Sequence, residues 1–298
     1  MENIKISKVC GLCAGCKRAI DKTSEHLQNG ESVTLFKEIV HNKNVNESLK
    51  NKGVIFEDSL ENLNNKSTII IRAHGEPKST FAHLESIGAK IEDCTCPNVA
   101  KIHQLVEEHS LKNYKIIIIG KYGKTTGKIH PEITGTIGWC NTEPILIEDD
   151  EDVDKIKNCD AQKFYLICQT TFNECKANKL IEQIKNILKN KELIVNKSIC
   201  HAQMQINKHS EELANESDIM VVVGGKNSSN SIELWNNLKK IKTSIFIENI
   251  NTWTDELEKE NITLSKNTKI GLTAGASTMR SELETLKSLI ENYILENL

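Results

Sequence analysis

The chain has 298 residues, 38% of them hydrophobic and 27% charged, with a net charge of −3. Its length exceeds one ordinary core and predicts two or three domains, while the composition excludes a disordered chain. The slightly negative balance gives a nucleic-acid partner no electrostatic support, and no stretch approaches the roughly 18 consecutive apolar residues of a membrane span.

The opening residues MENIKISKVC lack the apolar core of a signal peptide and read as a first strand of a cytoplasmic protein. Short β-branched runs at 4–6, 67–71, 115–119, 144–147, 164–167, 193–195, 219–223, 244–247 and 269–272 predict strands. Stretches of helical period at 14–27, 99–111, 174–188, 201–213 and 231–238 predict the helices between them, and the tail from 277 predicts a last helix. The alternation predicts an α/β protein built on parallel sheets. Three segments, KISKVCGLC, KIEDCTCP and LIVNKSIC, repeat one plan: a strand leads to a cysteine, and the cysteine opens a helix. Three small α/β domains are therefore expected, at 1–96, 97–196 and 197–276, with a C-terminal helix at 277–298.

Ten cysteines and only three arginines (Arg18, Arg72, Arg280) constrain the chemistry. A reducing compartment disfavours a disulfide framework, and several of the thiols should be ordinary packing residues. An anion site cannot be an arginine cluster and must use histidines, hydroxyls, amides, lysines and helix N-termini. Two cluster readings compete with the reading that every thiol is incidental. Cys10-x-x-Cys13-x-x-Cys16 has ferredoxin-like spacing, but Ile20 stands where a further cysteine would fall, and 14–27 reads as helix. The alternative takes one cysteine from each unit, Cys13, Cys96 and Cys200. Three thiolates on a [4Fe–4S] cluster leave one iron open to act as a Lewis acid.

Polar motifs sit at strand ends or helix starts: Val40-His41-Asn42, Ala73-His74-Gly75, His130-Pro131-Glu132, Gln169-Thr170-Thr171, Lys226 to Asn230, and Thr273 to Ser277. Singly, each reads as a structural histidine or a helix cap. As a set they could surround a compact polyanion with neutral and weakly cationic donors.

With these motifs in this order, the chain closely resembles the 4-hydroxy-3-methylbut-2-enyl diphosphate reductase family, from Cys13-Ala14-Gly15 to Ser277. The resemblance implies three pseudo-equivalent α/β domains in a cloverleaf around a central [4Fe–4S] cluster held by Cys13, Cys96 and Cys200. It implies diphosphate binding by His41, His74 and His130 and by Ser228, Asn230 and Ser277, with Ser229 beside them. Thr170 matches the residue near the substrate hydroxyl, and Glu132 matches the acid that supplies protons. The implied reaction is reductive dehydroxylation of the small allylic diphosphate to isopentenyl and dimethylallyl diphosphate, with a ferredoxin or flavodoxin as electron donor.

Three features depart from the family pattern. The loop 121–129 is longer than expected and carries Lys121, Lys124 and Lys128, which reads as a surface insertion, a lid or a docking surface for an acidic carrier. After Cys200 the run His201-Ala202-Gln203 replaces the usual Ala-Thr, which leaves room for a paralogue with a shifted substrate. Cys10, Cys16 and Cys94 crowd the expected ligands. Other readings are a quinolinate-synthase-like dehydratase, which needs no diphosphate clamp, and a non-catalytic iron–sulfur sensor or carrier.

Overall fold

The computed structural model describes residues 3–40, 42–124, 127–226 and 228–297. In chain order the strands are β1 Ile4–Ile6, β2 Val33–Phe36, β3 Ile55–Glu57, β4 Thr68–Ile71, β5 Lys90–Asp93, β6 Lys115–Ile119, β7 Ile145–Ile147, β8 Lys163–Cys168, β9 Glu192–Asn196, β10 Ile219–Val223, β11 Ser244–Ile247 and β12 Ile270–Ala274. The helices are α1 Ala14–Gln28, α2 Lys43–Asn51, α3 Lys78–Ser86, α4 Pro97–Leu111, α5 Pro131–Ile137, α6 Glu174–Ile187, α7 His201–Glu216, α8 Ser229–Leu238, α9 Trp253–Lys259 and α10 Arg280–Asn297. Among the described residues no helix is long and apolar enough to cross a membrane.

The strands form three four-stranded sheets, ordered β3-β2-β4-β5, β7-β6-β8-β9 and β11-β10-β12-β1. Every pairing is parallel. All three sheets thus share one order: second, first, third, fourth. The last sheet takes its fourth strand from the start of the chain, because β1 pairs with β12. This explains the threefold pattern of the sequence. The strands β5, β9 and β1 that precede the three repeated cysteines are the fourth strands of their sheets.

Two compact units contain these sheets. One comprises Arg18–Lys37 and Gly53–Cys200 and holds the first two sheets. Its β6, Lys-Ile-Ile-Ile-Ile, shows why such strands form: a parallel sheet covered on both faces demands an uninterrupted apolar run. Ile117 and Ile119 pack with Leu180, Ile181 and Ile184 of α6, while Ile116 and Ile118 face Ile102 and Val106 of α4 and Ile133 of α5. Each fully buried isoleucine contributes about 2 kcal/mol of transfer free energy.

The other unit comprises Met1–Lys17, Glu38–Lys52 and His201–Leu298 and holds the third sheet. Ile4, Ile270 and Leu272 pack under Leu283, Leu286, Ile290 and Ile294 of α10, so the tail helix covers one face of the sheet. Met220 and Val222 face Ile206 and Leu213 of α7 and Leu234 and Leu238 of α8 on the other.

Candidate active site

In sheets of this order, the connections after the first and third strands leave in opposite directions, and their C-terminal ends form a crevice that collects ligands. The polar motifs of the sequence fall at these ends in all three sheets. Lys37 follows β2 and the His74 loop follows β4. His130 and Glu132 follow β6 and Thr170 follows β8. Ser228 and Asn230 follow β10 and Ser277 follows β12. In each sheet a side chain after the first strand bonds one after the third. Lys37 Nζ donates to Glu76 Oε2 at 2.9 Å, Thr170 Oγ1 donates to Glu132 Oε2 at 2.6 Å, and Ser277 Oγ donates to Ser228 Oγ at 3.3 Å.

The three cysteines occupy equivalent places as well. Each follows a fourth strand, and each backbone N–H is bonded to the loop after the third strand of the same sheet. Cys96 donates to Ala73 O at 3.0 Å, Cys200 to Thr170 O at 2.7 Å and Cys13 to Ala276 O at 3.3 Å. Those carbonyls belong to, or directly precede, Thr170, His74 and Ser277. A cysteine therefore cannot shift without moving a neighbouring polar residue. All ten cysteines lie among the described residues as free thiols, and Cys13, Cys96 and Cys200 are half-buried. Cys96 caps α4. In the first turn of that helix Asn98 donates from Nδ2 to Cys200 Sγ at 3.5 Å, which brings the Cys200 sulfur to the start of the helix that Cys96 precedes. The Cys16 thiol donates to the Cys13 sulfur and, with the amides of Cys16 and Gly15, brings Cys13 down to about 6 against the effect of burial. Burial pushes Cys10 up, Cys94 to about 11, and Cys140 and Cys168 to about 12, as befits packing residues.

Glu132 carries a carboxyl whose pKa is strongly raised. Its side chain is 2% exposed, at the second position of α5. Burial pushes it up to about 7, although the Thr170 N–H (2.7 Å to Oε1) and hydroxyl both favour the charged form. His130 caps the same helix, and its Nδ1 accepts from Glu132 N at 3.2 Å. That bond requires an unprotonated Nδ1 and leaves the ring's proton on Nε2. The rings of His130 and His74 meet edge to face, with centroids 5.5 Å apart. The loop that carries His74 is held by buried Glu76, which also accepts from Arg72 Nε at 3.3 Å.

The hydroxyl cluster is the counterpart in the third sheet. Ser228 caps α8, accepting from Ser231 N at 3.4 Å, and Ser231 Oγ donates to it at 3.1 Å. Gly224 and Gly275 permit this crowding: a Cβ on either would lie 2.4 or 2.2 Å from Ser231 Oγ. Asn230 is half-buried in the first turn of α8, and Ser229 is its first residue. His41 lies outside the described residues. Its neighbour Asn42 caps α2 and donates to Glu282 Oε1 at 3.3 Å.

Two contributors, Asn98 and Glu148, escaped the sequence reading, and Gln169 of the Gln169-Thr170-Thr171 motif takes a part it did not assign. Asn98 bears on Cys200, and only its place two residues after Cys96 hints at this. Gln169 is buried, and its Oε1 accepts from Lys121 N at 2.9 Å, anchoring the start of the long loop. Glu148, also buried, accepts the amides of Tyr122, Gly123 and Lys124 at 3.0, 3.2 and 3.1 Å. Lys124 Nζ is bonded by Asp149 and Glu151 at 2.7 and 2.8 Å, so its charge is already matched and does not recommend the loop as a docking surface for an acidic carrier. Residues 125 and 126 of the loop lie outside the described residues.

A sequence profile of the family described as LytB protein matches residues 4–291. The chain belongs to the LytB family. Among LytB relatives, the 4-hydroxy-3-methylbut-2-enyl diphosphate reductase of Clostridioides difficile (strain 630) is 34% identical over 291 residues, covering 97% of this chain and 99% of that one. The solved structure of the E-1-hydroxy-2-methyl-but-2-enyl-4-diphosphate reductase from Plasmodium falciparum matches with a TM-score of 0.84 at 26% identity, over 97% of this chain and 88% of that one. A structure of (E)-4-hydroxy-3-methyl-but-2-enyl diphosphate reductase, described as the terminal enzyme of the non-mevalonate pathway, matches with a TM-score of 0.72 at 31% identity, over 97% and 99%. The three α/β sheets of this chain are thus those of the LytB fold.

Proposed function

We propose that this chain is a reductase that removes the allylic hydroxyl of (E)-4-hydroxy-3-methylbut-2-enyl diphosphate and releases isopentenyl and dimethylallyl diphosphate. The observation that carries the reading is the buried Glu132–Thr170 pair, a carboxyl that keeps a transferable proton near neutral pH, with Thr170 O bonded to the amide of Cys200.

Cys13, Cys96 and Cys200 would hold a [4Fe–4S] cluster. The donor set fits: three half-buried thiols, none in a disulfide, at equivalent positions, one with a lowered pKa and one accepting an amide N–H. Among the described residues no three His, Cys, Asp or Glu side chains group tightly enough for a single ion. A cubane takes its thiolates at separate corners, so its ligand sulfurs need not converge as those of one ion do. When bound, such a cluster supplies electrons singly and, with one iron free of protein sulfur, a Lewis-acid position.

The protein's part is binding and proton delivery. The resemblance assigns the diphosphate to His41, His74 and His130 and to Ser228, Ser229, Asn230 and Ser277. Imidazole and hydroxyl donors suit a chain with three arginines. The Nε2–H of His130 is set to donate by the bond at its Nδ1. Glu132, which its burial keeps partly protonated at neutral pH, gives its proton to the departing oxygen so that water leaves rather than hydroxide. Thr170 orients the carboxyl through two bonds and stabilises the anion that remains. The matches along the chain give no support to a quinolinate-synthase-like dehydratase or to a paralogue with another substrate. We take Cys96 and Lys197 as the domain boundaries, with β1 counted in the third domain, and a small ferredoxin or flavodoxin as the donor.

Anaerobically reconstituted protein should consume reduced viologen when given the hydroxylated allylic diphosphate. A full cluster complement with no consumption contradicts the reading.

A further inference from the structure

The reductase reading uses only Cys13 of the Cys10-x-x-Cys13-x-x-Cys16 run and leaves Cys16 without a task. Cys13 stands immediately before α1, and its carbonyl accepts the first helical bond, from Lys17 N at 2.9 Å. That makes Cys13 the N-cap and Cys16 the third helical residue. An N-cap side chain folds back over the amide of the third residue, which brings the two side chains together. Here the Cys13 sulfur accepts both the Cys16 amide and the Cys16 thiol. A Cys-x-x-Cys pair at the start of a helix that follows a parallel strand is the arrangement of dithiol redox motifs.

Cys10 is turned away from this pair. Its thiol donates to Ser7 O at 3.3 Å, Arg280 Nη1 approaches its sulfur at 3.9 Å, and its side chain packs against the core under α10. Gly11, between Cys10 and Cys13, has φ +85°, and a Cβ there would lie 2.9 Å from Thr278 O, so the turn that separates the two thiols is fixed.

We propose that, when no cluster is bound, Cys13 and Cys16 form an intramolecular disulfide that excludes Cys13 from cluster ligation and is reversed by thiols. The exclusion half rests on Cys13 being a cluster ligand. The oxidant is a low-molecular-weight disulfide such as oxidised glutathione. The Cys13 thiolate attacks one of its sulfurs, forming a mixed disulfide and releasing one thiol. The Cys16 thiolate, its proton lost to solvent, then attacks the Cys13 sulfur and releases the second thiol. Two protein thiols are oxidised and one external disulfide is reduced to two thiols. Cys16 thereby serves as a resolving residue that protects the ligand from lasting adducts and from further oxidation.

The test treats the full chain, cluster-free or reconstituted, with oxidised glutathione, alkylates the remaining thiols and sequences the tryptic peptide 9–17 by mass spectrometry. That peptide contains all three cysteines. In cluster-free protein it should carry one alkyl group, on Cys10, and be lighter by two hydrogens. Dithiothreitol should restore three alkylatable thiols and the ability to take up a cluster. Cys16→Ala should instead retain glutathione on Cys13. A stable Cys13–glutathione adduct in the unsubstituted chain, a Cys10–Cys13 link, or an unmodified peptide overturns the proposal. Reconstitution of Cys13→Ser tests the ligand reading separately. If that variant loses the cluster while no disulfide forms in the unsubstituted chain, only the disulfide fails. If the disulfide forms as readily in iron-loaded protein, the exclusion fails and Cys13 is not a ligand.

Discussion

The crevice ends of the second and third sheets have the same topology and carry opposite chemistry. In the second, Thr170 after the third strand donates to a carboxyl after the first. In the third, Ser277 after the third strand donates to Ser228 after the first. One substitution of type, a carboxyl for a hydroxyl, changes what the position can do. A buried carboxyl gains a pKa of about 7 and handles a proton, whereas a hydroxyl cluster of the same shape stays neutral and suits an anion. The first sheet has a third variant, the Lys37–Glu76 ion pair, which is suited to holding the His74 loop in place. On the proposed reading, a repeated scaffold is divided into proton handling, anion binding and loop support by changing the residues at two strand ends.

The sharpest way to break the contrast is to remove the proton from one side of it. Glu132→Gln keeps the shape and should lower kcat by about 10²–10⁴-fold with little change in KM, measured with reduced viologen as donor. The same variant tests the burial argument through stability. The unfolded Glu loses its proton near its ordinary value of 4.5 and the folded one at about 7, so between those values the folded state binds more protons. Stability of the unsubstituted chain should therefore fall relative to Glu132→Gln as pH rises through that window, by up to about 3 kcal/mol, in denaturant titrations at several pH values.

Thr170→Ala should cost less, on the order of 10-fold in kcat, because the backbone N–H at 170 still holds Oε1. Losing a donor to the charged form should also move the Glu132 titration upward, visible as a shifted pH–rate limb. Ser277→Ala should act in the opposite sense to both, raising KM by about 3–10-fold with kcat retained, as expected for one neutral hydrogen bond to a bound anion. The smallest effect belongs to Asn98→Leu. It removes the amide donor on Cys200 Sγ and should lower the reduction potential of the reconstituted cluster in a redox titration, with the cluster content unchanged.

The long buried strands and the larger helices were legible because their patterns are strong. The four isoleucines of β6 and the periodic stretches that became α1, α4, α6 and α7 admit few other readings. β2 and β3 were missed: one is four residues long and stops before Lys37, which has φ +65°, and the other is a three-residue edge strand whose Ile55 is exposed. Local pattern cannot show that β1 closes the third sheet, since that pairing joins residues more than 260 positions apart. At the site, the polar motifs were readable as strand-end clusters, but their pairing across each crevice was not. The Lys37–Glu76, Glu132–Thr170 and Ser228–Ser277 bonds all link loops separated by at least one helix and two strands. The raised pKa of Glu132 follows from its burial, and burial of a polar residue leaves no mark in a sequence.

The most direct test of the division of labour is the pH dependence of kcat for the reconstituted enzyme with saturating diphosphate and reduced viologen. If Glu132 delivers the proton, kcat should be level at low pH and fall about tenfold per pH unit above an apparent pKa near 7, and Glu132→Gln should lack that limb. A kcat that stays level from about pH 6 to about pH 9, or a falling limb that persists unchanged in Glu132→Gln, would contradict the account.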